Sequence, residues 1–519
     1  MSSHSRRMST ARAAGAVVAA AALVAAASTA AVGAPPDRGG FLTDEDPFLT
    51  LEPGLPSGAS VLPIMSSGET LGDFELQGLP DGIGIRDGEA RHTVEVYVAH
   101  EQTTVPFFGT ADFQDASVSK LTLSTRKGTG RAGVLDASVA LGPEAGFLRF
   151  CSAAMLGPDE GFDTEVYVTG EETNDVVPVP DGAPYGEDPG AGDGLRQAGY
   201  AVVLDTETGE YTPVAGLGRL NHENTVGLQG YDQISLLTTD DTFNRPSAQV
   251  YMYRADDQAG VFGDEGVLWA FRVTGKNGES VDPADAFNGA NDYGDVQPGD
   301  DLTGEFIPVP GDIARGETGD LPQDALESWS NDNNVFQFVR AEDIAVDKND
   351  PHVVYMADTG GTEILPAANG RLERVRGAQG ITDNGAIFRF EFDHDDATVV
   401  TSFSKIAQGD DPAAGAYVPF VSPDNIDTSR KSLMVSEDTD DAKIWQHRLK
   451  QGSWRHVATV AETDSESSGI VDASRWFGGG TWLLDVQGHG TNVKEELDGS
   501  GVLRKMESGQ IMLLTIPAS

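Results

Sequence analysis

One cysteine, Cys151, is all that 519 residues contain, so no internal disulfide can form, and the thiol is either an inert buried hydrophobe or a functional group. Basic residues are also scarce, with 35 Lys and Arg against 82 Asp and Glu and a formal charge of -47. Nothing resembles a basic footprint, which argues against nucleic acid as a partner. An anionic substrate would be repelled by this surface unless bound cations reverse the field locally. After residue 34 no apolar run approaches the ~20 residues of a membrane span, so no stable anchor is expected. Several catalytic signatures are missing. His100-Glu101 and His222-Glu223 lack the second histidine of HExxH. There is no GxSxG, and Gly275-Lys276 is followed by Asn277 and lacks the upstream glycine of a phosphate-binding loop. The stretch from Gly128 to Gly133 spells GxGxxG in a polar loop with no helix behind it, and reads as a turn.

Residues 1–34 read as a targeting segment. Arg6, Arg7 and Arg12 form a basic start, Ala13 to Ala31 is rich in Ala and Val, and Val32-Gly33-Ala34 offers small residues for cleavage. The Arg6-Arg7 pair admits a twin-arginine signal. The mature chain is thus expected to be exported, to the periplasm, cell surface or medium. Residues 35–65 form an extended, Pro-rich lead-in, and 66–519 a single domain with an insertion at 255–334 rich in Gly, Asp and Asn.

What the chain has instead is repetition. Six segments each open on a polar lead residue and end in an apolar strand capped by acidic or amide side chains. They run from Asp81 to Glu101, Cys151 to Glu171-Glu172, Glu223 to Asp240-Asp241, Glu342 to Asp358, Asp424 to Glu437-Asp438, and Glu466 to Gln487. Further alternating runs follow most of them, such as SKLTLST, QVYMYRA and AIFRFEF. Alternation with β-branched and aromatic residues between Gly, Asp and Asn turns reads as strands. Six units of about four strands predict an all-β chain, a six-bladed β-propeller with loop insertions, with a β-sandwich as the alternative.

In a propeller the first strand of each blade lines the channel and the hairpin brings the second strand back to the level where the first began. Lead residues and terminal acids would therefore crowd one mouth, where so many carboxylates cannot all ionise without cations. Cys151 occupies a lead position otherwise held by acids, which favours a ligand role: thiolate is a soft ligand suited to a transition metal, whereas carboxylates suit calcium.

These residues, in this order, resemble the PhoX-type alkaline phosphatases, a family of exported bacterial enzymes. The matching elements are PDGIG at Asp81, HE at Glu101, Cys151 followed about twenty residues later by Glu171-Glu172, and GRLNHE at Glu223 with TTDD. AED at Glu342, PDN at Asp424 with SED at Glu437, and ESSG at Glu466 with DVQ at Gln487 continue the series. The chain departs from the family in lacking its Thr-Pro-Trp-Gly-Thr-Trp motif, and in reading Arg340-Ala341-Glu342-Asp343 for Arg-Pro-Glu-Gly.

The resemblance implies a monomeric phosphomonoester hydrolase with two ferric ions (Fe3+) and several calcium ions joined by an oxo bridge, and a cysteine among the iron ligands. On that basis Cys151, Glu171, Glu223 and Glu342 are expected to hold iron, with Glu172 paired to Glu171. Glu101, Asp240, Asp358, Asp424, Glu437 and Glu466 are expected to hold calcium. Arg219 and Arg340 are candidates to grip the phosphate of a small ester, and His222 either supports substrate or ligands or is a structural hydrogen-bonding histidine. Two other readings stay open here: a calcium-stabilised binding propeller without catalysis, and a calcium-dependent lactonase or phosphotriesterase.

Overall fold

Middle strands here are apolar on both faces, and the architecture explains why. The computed structural model describes residues 40–102, 115–128, 130–242, 248–361, 364–374, 384–461, 465–497 and 503–517. Among them, six antiparallel blades surround one axis. Their first and second strands are Pro80–Asp87 and Thr93–His100, Phe150–Leu156 and Val166–Glu171, His222–Leu228 and Ile234–Asp240, Ala341–Asp347 and Asp350–Asp358, Pro423–Thr428 and Ser432–Glu437, and Ser465–Asp472 and Thr481–Leu497. Each first strand abuts the next in cyclic order, and that of blade six meets that of blade one, so the ring closes. Gly82 and Gly469 permit this closeness: a Cβ on Gly82 would lie 2.3 Å from the Ala153 nitrogen, and one on Gly469 2.5 Å from the Asp81 carbonyl oxygen. The chain folds as a six-bladed propeller.

The core is divided into six apolar clusters, one at each interface between neighbouring blades. Alternate residues of a middle strand serve different interfaces: Leu236 packs toward blade two and Leu237 toward blade four. Because blades stack face to face, Ile234–Asp240 and Ser432–Glu437 are buried along their whole length. Val134–Leu141, the outermost strand of blade one, is largely exposed.

Segments near both ends of the described residues contribute to the ring. Ser60–Ser66, from the lead-in, pairs with Leu503–Thr515 and completes blade six, and Leu49–Leu51 adds a fifth strand to blade five. The segment 255–334 is also built into the fold. Val267–Lys276 is the fourth strand of blade three, and Leu302–Pro308 bridges it to Val399–Gln408 of blade four, joining two blades into one sheet. Phe271 sits against Phe306, Phe336, Phe390 and Phe403, with ring centroids 5.3–6.0 Å away, so this bridge carries an aromatic core of its own. The helix Pro322–Asp332 follows, with Gln323, Leu326 and Glu327 buried. The targeting segment expected over 1–34 lies outside the described residues. Among the described residues no helix is long and apolar enough to cross a membrane.

Candidate metal centre

A repeated β-bulge aims the lead residues. In blade one Pro80 pairs with His100 and Ile83 with Val98, so Asp81 and Gly82 together oppose one residue. The same slip sets Cys151-Ser152, Glu223-Asn224, Glu342-Asp343 and Asp424-Asn425 opposite single residues in blades two to five. A bulge of this kind bends the strand and redirects its side chains. In blade six the slip falls two residues later, at Ser468-Gly469. Ser468 therefore takes the lead position, and Glu466 stands two residues before it, opposite Gln487.

Parity then sorts the strand-end acids, since consecutive strand residues face opposite ways. Glu171, Asp240, Asp358 and Glu437 pair with the residue before the lead, turn away from the axis, and bind the segment entering their own blade. Glu171 accepts from the backbone nitrogens of Leu148, Gly199 and Tyr200 and from Arg196 at 2.6 and 2.8 Å. Asp358 accepts from the nitrogens of Val339, Arg340 and Gly360. Glu437 accepts from Val421, Lys443 and the Trp445 indole. His100 holds the same place in blade one, bonded to the Gly78 carbonyl and Ser119. The next residues, Glu101, Glu172, Asp241 and Asp438, turn the other way.

Two groups of three ligand atoms result, each within 4.8 Å of one another: Cys151, Glu172 and Glu223, and Glu223, Glu342 and Asp424. Glu223 belongs to both. Burial pushes the carboxyls of Glu172, Glu223, Glu342 and Asp424 well above their usual range; Arg149 and Arg340 pull Glu172 and Glu342 partly back, and neighbouring carboxylates push all four up. The Cys151 thiol is raised by burial first, then by Asp81, Glu223, Glu172 and Glu101. Asp81 accepts from Gln487 at 2.6 Å and lies 3.5 Å from the Cys151 sulfur. Glu466 adds charge beside Asp424. A buried thiol and carboxylates in such proximity form a donor set that fits multivalent cations.

Two guanidinium groups lie at the edge of this cluster. Arg340 donates to Asp241 at 2.9 Å and is 3.1 Å from Glu342 and 3.7 Å from Asp438. Arg149 is 2.6 Å from Glu101 and 3.7 Å from Glu172, with about a third of its side chain exposed. Sequence reasoning missed Arg149; its position two residues before a lead residue, where Arg340 also stands, was the available signal. Arg219 lies elsewhere. Its buried guanidinium grips Asp188 at 2.9 Å through two nitrogens and stacks 3.6 Å from the Tyr200 ring, so it ties the 178–193 loop to blade two. His222 bonds Thr238 and the Gly218 carbonyl, and burial lowers its pKa to about 4, keeping it neutral.

Beneath the lead residues a second polar tier crosses the channel. Ser152 donates to Glu223 at 2.7 Å, and Asn425, from blade five, donates to Ser152 of blade two at 2.7 Å. Asn224 donates to Asp343, which also accepts from the Ile426 nitrogen at 2.8 Å. Asp343 thus fills this tier where the PhoX pattern has glycine. Below it opens a cavity of about 620 Å³ lined in part by Ile83, Val226, Ile344 and Ile470.

Glu171→Gln separates structural from ligand roles. It leaves fully buried Arg196 without its countercharge, so a stability loss of about 3–5 kcal/mol is expected by denaturant titration. Turnover per folded molecule should stay within about twofold, because Glu172 faces the cluster.

No curated protein matches this chain. Among solved structures, hydrazine synthase of Kuenenia stuttgartiensis shares 8% identity at a TM-score of 0.33, over 79% of this chain and 80% of that one. The Dos1 propeller shares 8% identity at 0.29, over 85% and 68%. Residues 165–472, more than half of the sequence and holding Glu172, Glu223, Glu342, Asp424 and Glu466, match the family described as alkaline phosphatase PhoX. The chain belongs to the PhoX alkaline phosphatase family.

Proposed function

We propose that the protein is an exported, monomeric phosphatase that hydrolyses small phosphomonoesters at a multi-metal centre in the mouth of the propeller channel. The observation that carries this reading is the sharing of Glu223 between two groups of ligand atoms, which would set two cations side by side. The group containing Cys151 suits iron through its thiolate, and the all-oxygen group of Glu223, Glu342 and Asp424 suits calcium. Once bound, such cations supply Lewis acidity toward phosphoryl oxygens and lower the pKa of water.

The chain's own residues do the rest. Ser152, itself held by Asn425, fixes the Glu223 carboxylate by donating to one of its oxygens. Arg149, paired with Glu101, and Arg340, paired with Asp241, would offer their remaining N–H groups to a phosphate at the rim of the cluster. The basic start at Arg6, Arg7 and Arg12 supports export.

Hydrolysis of a chromogenic phosphomonoester by natively purified protein tests the reading, with the matching diester alongside. Activity on the monoester that vanishes on chelation and returns with iron and calcium is expected. A metal-loaded protein with no turnover on several monoesters would overturn it in favour of a binding propeller.

A further inference from the structure

Of the four acids that turn away from the axis, Asp240 is bound differently from the other three. Glu171 has an arginine and three backbone N–H groups, Asp358 three N–H groups, and Glu437 two N–H groups with an indole and Lys443. Asp240 receives one backbone N–H, from Asn221, where the others receive two or three, together with the Thr242 hydroxyl at 3.1 Å and the Gln323 amide at 3.3 Å. Burial raises its carboxyl, and a second carboxylate, Glu327, one turn along the helix from Gln323, raises it further. Arg371 lies on the Glu327 side, where it donates to Asn331 and the Val335 carbonyl.

The amides around this pair are independently incomplete. Gln323 is 1% exposed; its Nε2 bonds Asp240 and Thr242, yet Oε1 of that same amide has no partner. Asn221 is fully buried, its backbone N–H is on Asp240, and neither Oδ1 nor Nδ2 is bonded. Buried amide oxygens without a donor are rare and costly. A cation between the two carboxylates would satisfy both deficits, taking amide oxygens as further ligands after small torsional turns. Six to eight oxygens from carboxylates, amide carbonyls and water is the coordination calcium prefers, at flexible geometry that tolerates an uneven cage.

We propose that Asp240, Glu327, Gln323 and Asn221 form a calcium site, separate from the channel centre, that fastens the helix Pro322–Asp332 to blade three. Glu327 and Gln323 come from the inserted segment and Asp240 and Asn221 from the blade, so the ion cross-links the two. It stands independently of the channel chemistry, because Asp240 faces the opposite side of its strand from Asp241.

Glu327→Gln tests it without touching the channel. Protein equilibrated with calcium and gel-filtered should lose one calcium per chain relative to wild type, by elemental analysis. Monoester turnover should remain within about twofold. Terbium alone supplies a second readout. Trp329, two residues from Glu327, should sensitise its emission, and both Glu327→Gln and Trp329→Phe should remove that component. Equal calcium content in wild type and variant, with unchanged terbium emission, would overturn the site and leave an acid pair sharing a proton.

Discussion

Replacing Glu223 with glutamine is expected to empty both cation positions at once and to lower monoester kcat/KM by more than about 10³-fold. The expectation comes from geometry. Among the described residues, Glu223 is the side chain whose ligand atoms come within 4.8 Å both of Cys151 and Glu172 and of Glu342 and Asp424, so on the proposed reading removing its charge would weaken both positions. Single-group variants make the contrast. Cys151→Ser should lower iron content and activity together while calcium stays, since an alkoxide-poor serine is a weak replacement for a soft thiolate. Asp424→Asn should lower calcium while iron stays. Elemental analysis beside initial rates reads all three. If Glu223→Gln kept both metals and its rate, the shared carboxylate would have no bridging role.

Much of the ring was legible in the sequence, because lead residues and apolar hairpins recur in order from Asp81 to Glu466. The sense in which each strand end faces was not. Glu171 and Glu172 are chemically equal in sequence, and a one-residue difference sends the first to Arg196 and the second to Cys151. That choice depends on where the bulge falls, which varies: the sequence pattern points to Glu466 as the sixth lead residue, whereas the slip in blade six puts Ser468 there. The same parity separates Asp240 from Asp241 and Glu437 from Asp438. The place of Arg219 beside Glu223 suggests a phosphate ligand, but its partner, Asp188, comes from a loop thirty-one residues earlier whose docking no local pattern encodes. The link from Asn425 to Ser152 across the axis, 273 residues apart, belongs to the same class. Even the insertion carried a hidden strand, since Val267–Lys276 completes blade three inside a segment whose Gly and Asp content reads as loop.

Removing cations should reverse how stability depends on pH. In metal-free protein, burial raises Glu172, Glu223, Glu342 and Asp424 well above the ordinary carboxylate range, and Asp343 to about 7. The folded chain then keeps protons that the unfolded chain has released above about pH 4.5. Because the native state binds more protons, the free energy of unfolding falls as pH rises, by about 1.4 kcal/mol per pH unit for each proton retained, from the unfolded pKa up to the folded one. Cations abolish that slope by holding the same groups ionised, and now protons compete with metal, so loaded protein weakens as pH falls. Each cation at a thousand times its dissociation constant contributes about 4 kcal/mol. Two or more should raise the melting midpoint near pH 8 by on the order of 10 °C for a chain of this size. Thermal unfolding from pH 5 to 8, with calcium and iron or with chelator, should give curves that diverge as pH rises. Curves that run parallel across that range would mean that the buried carboxylates of the channel hold no cation in the folded protein.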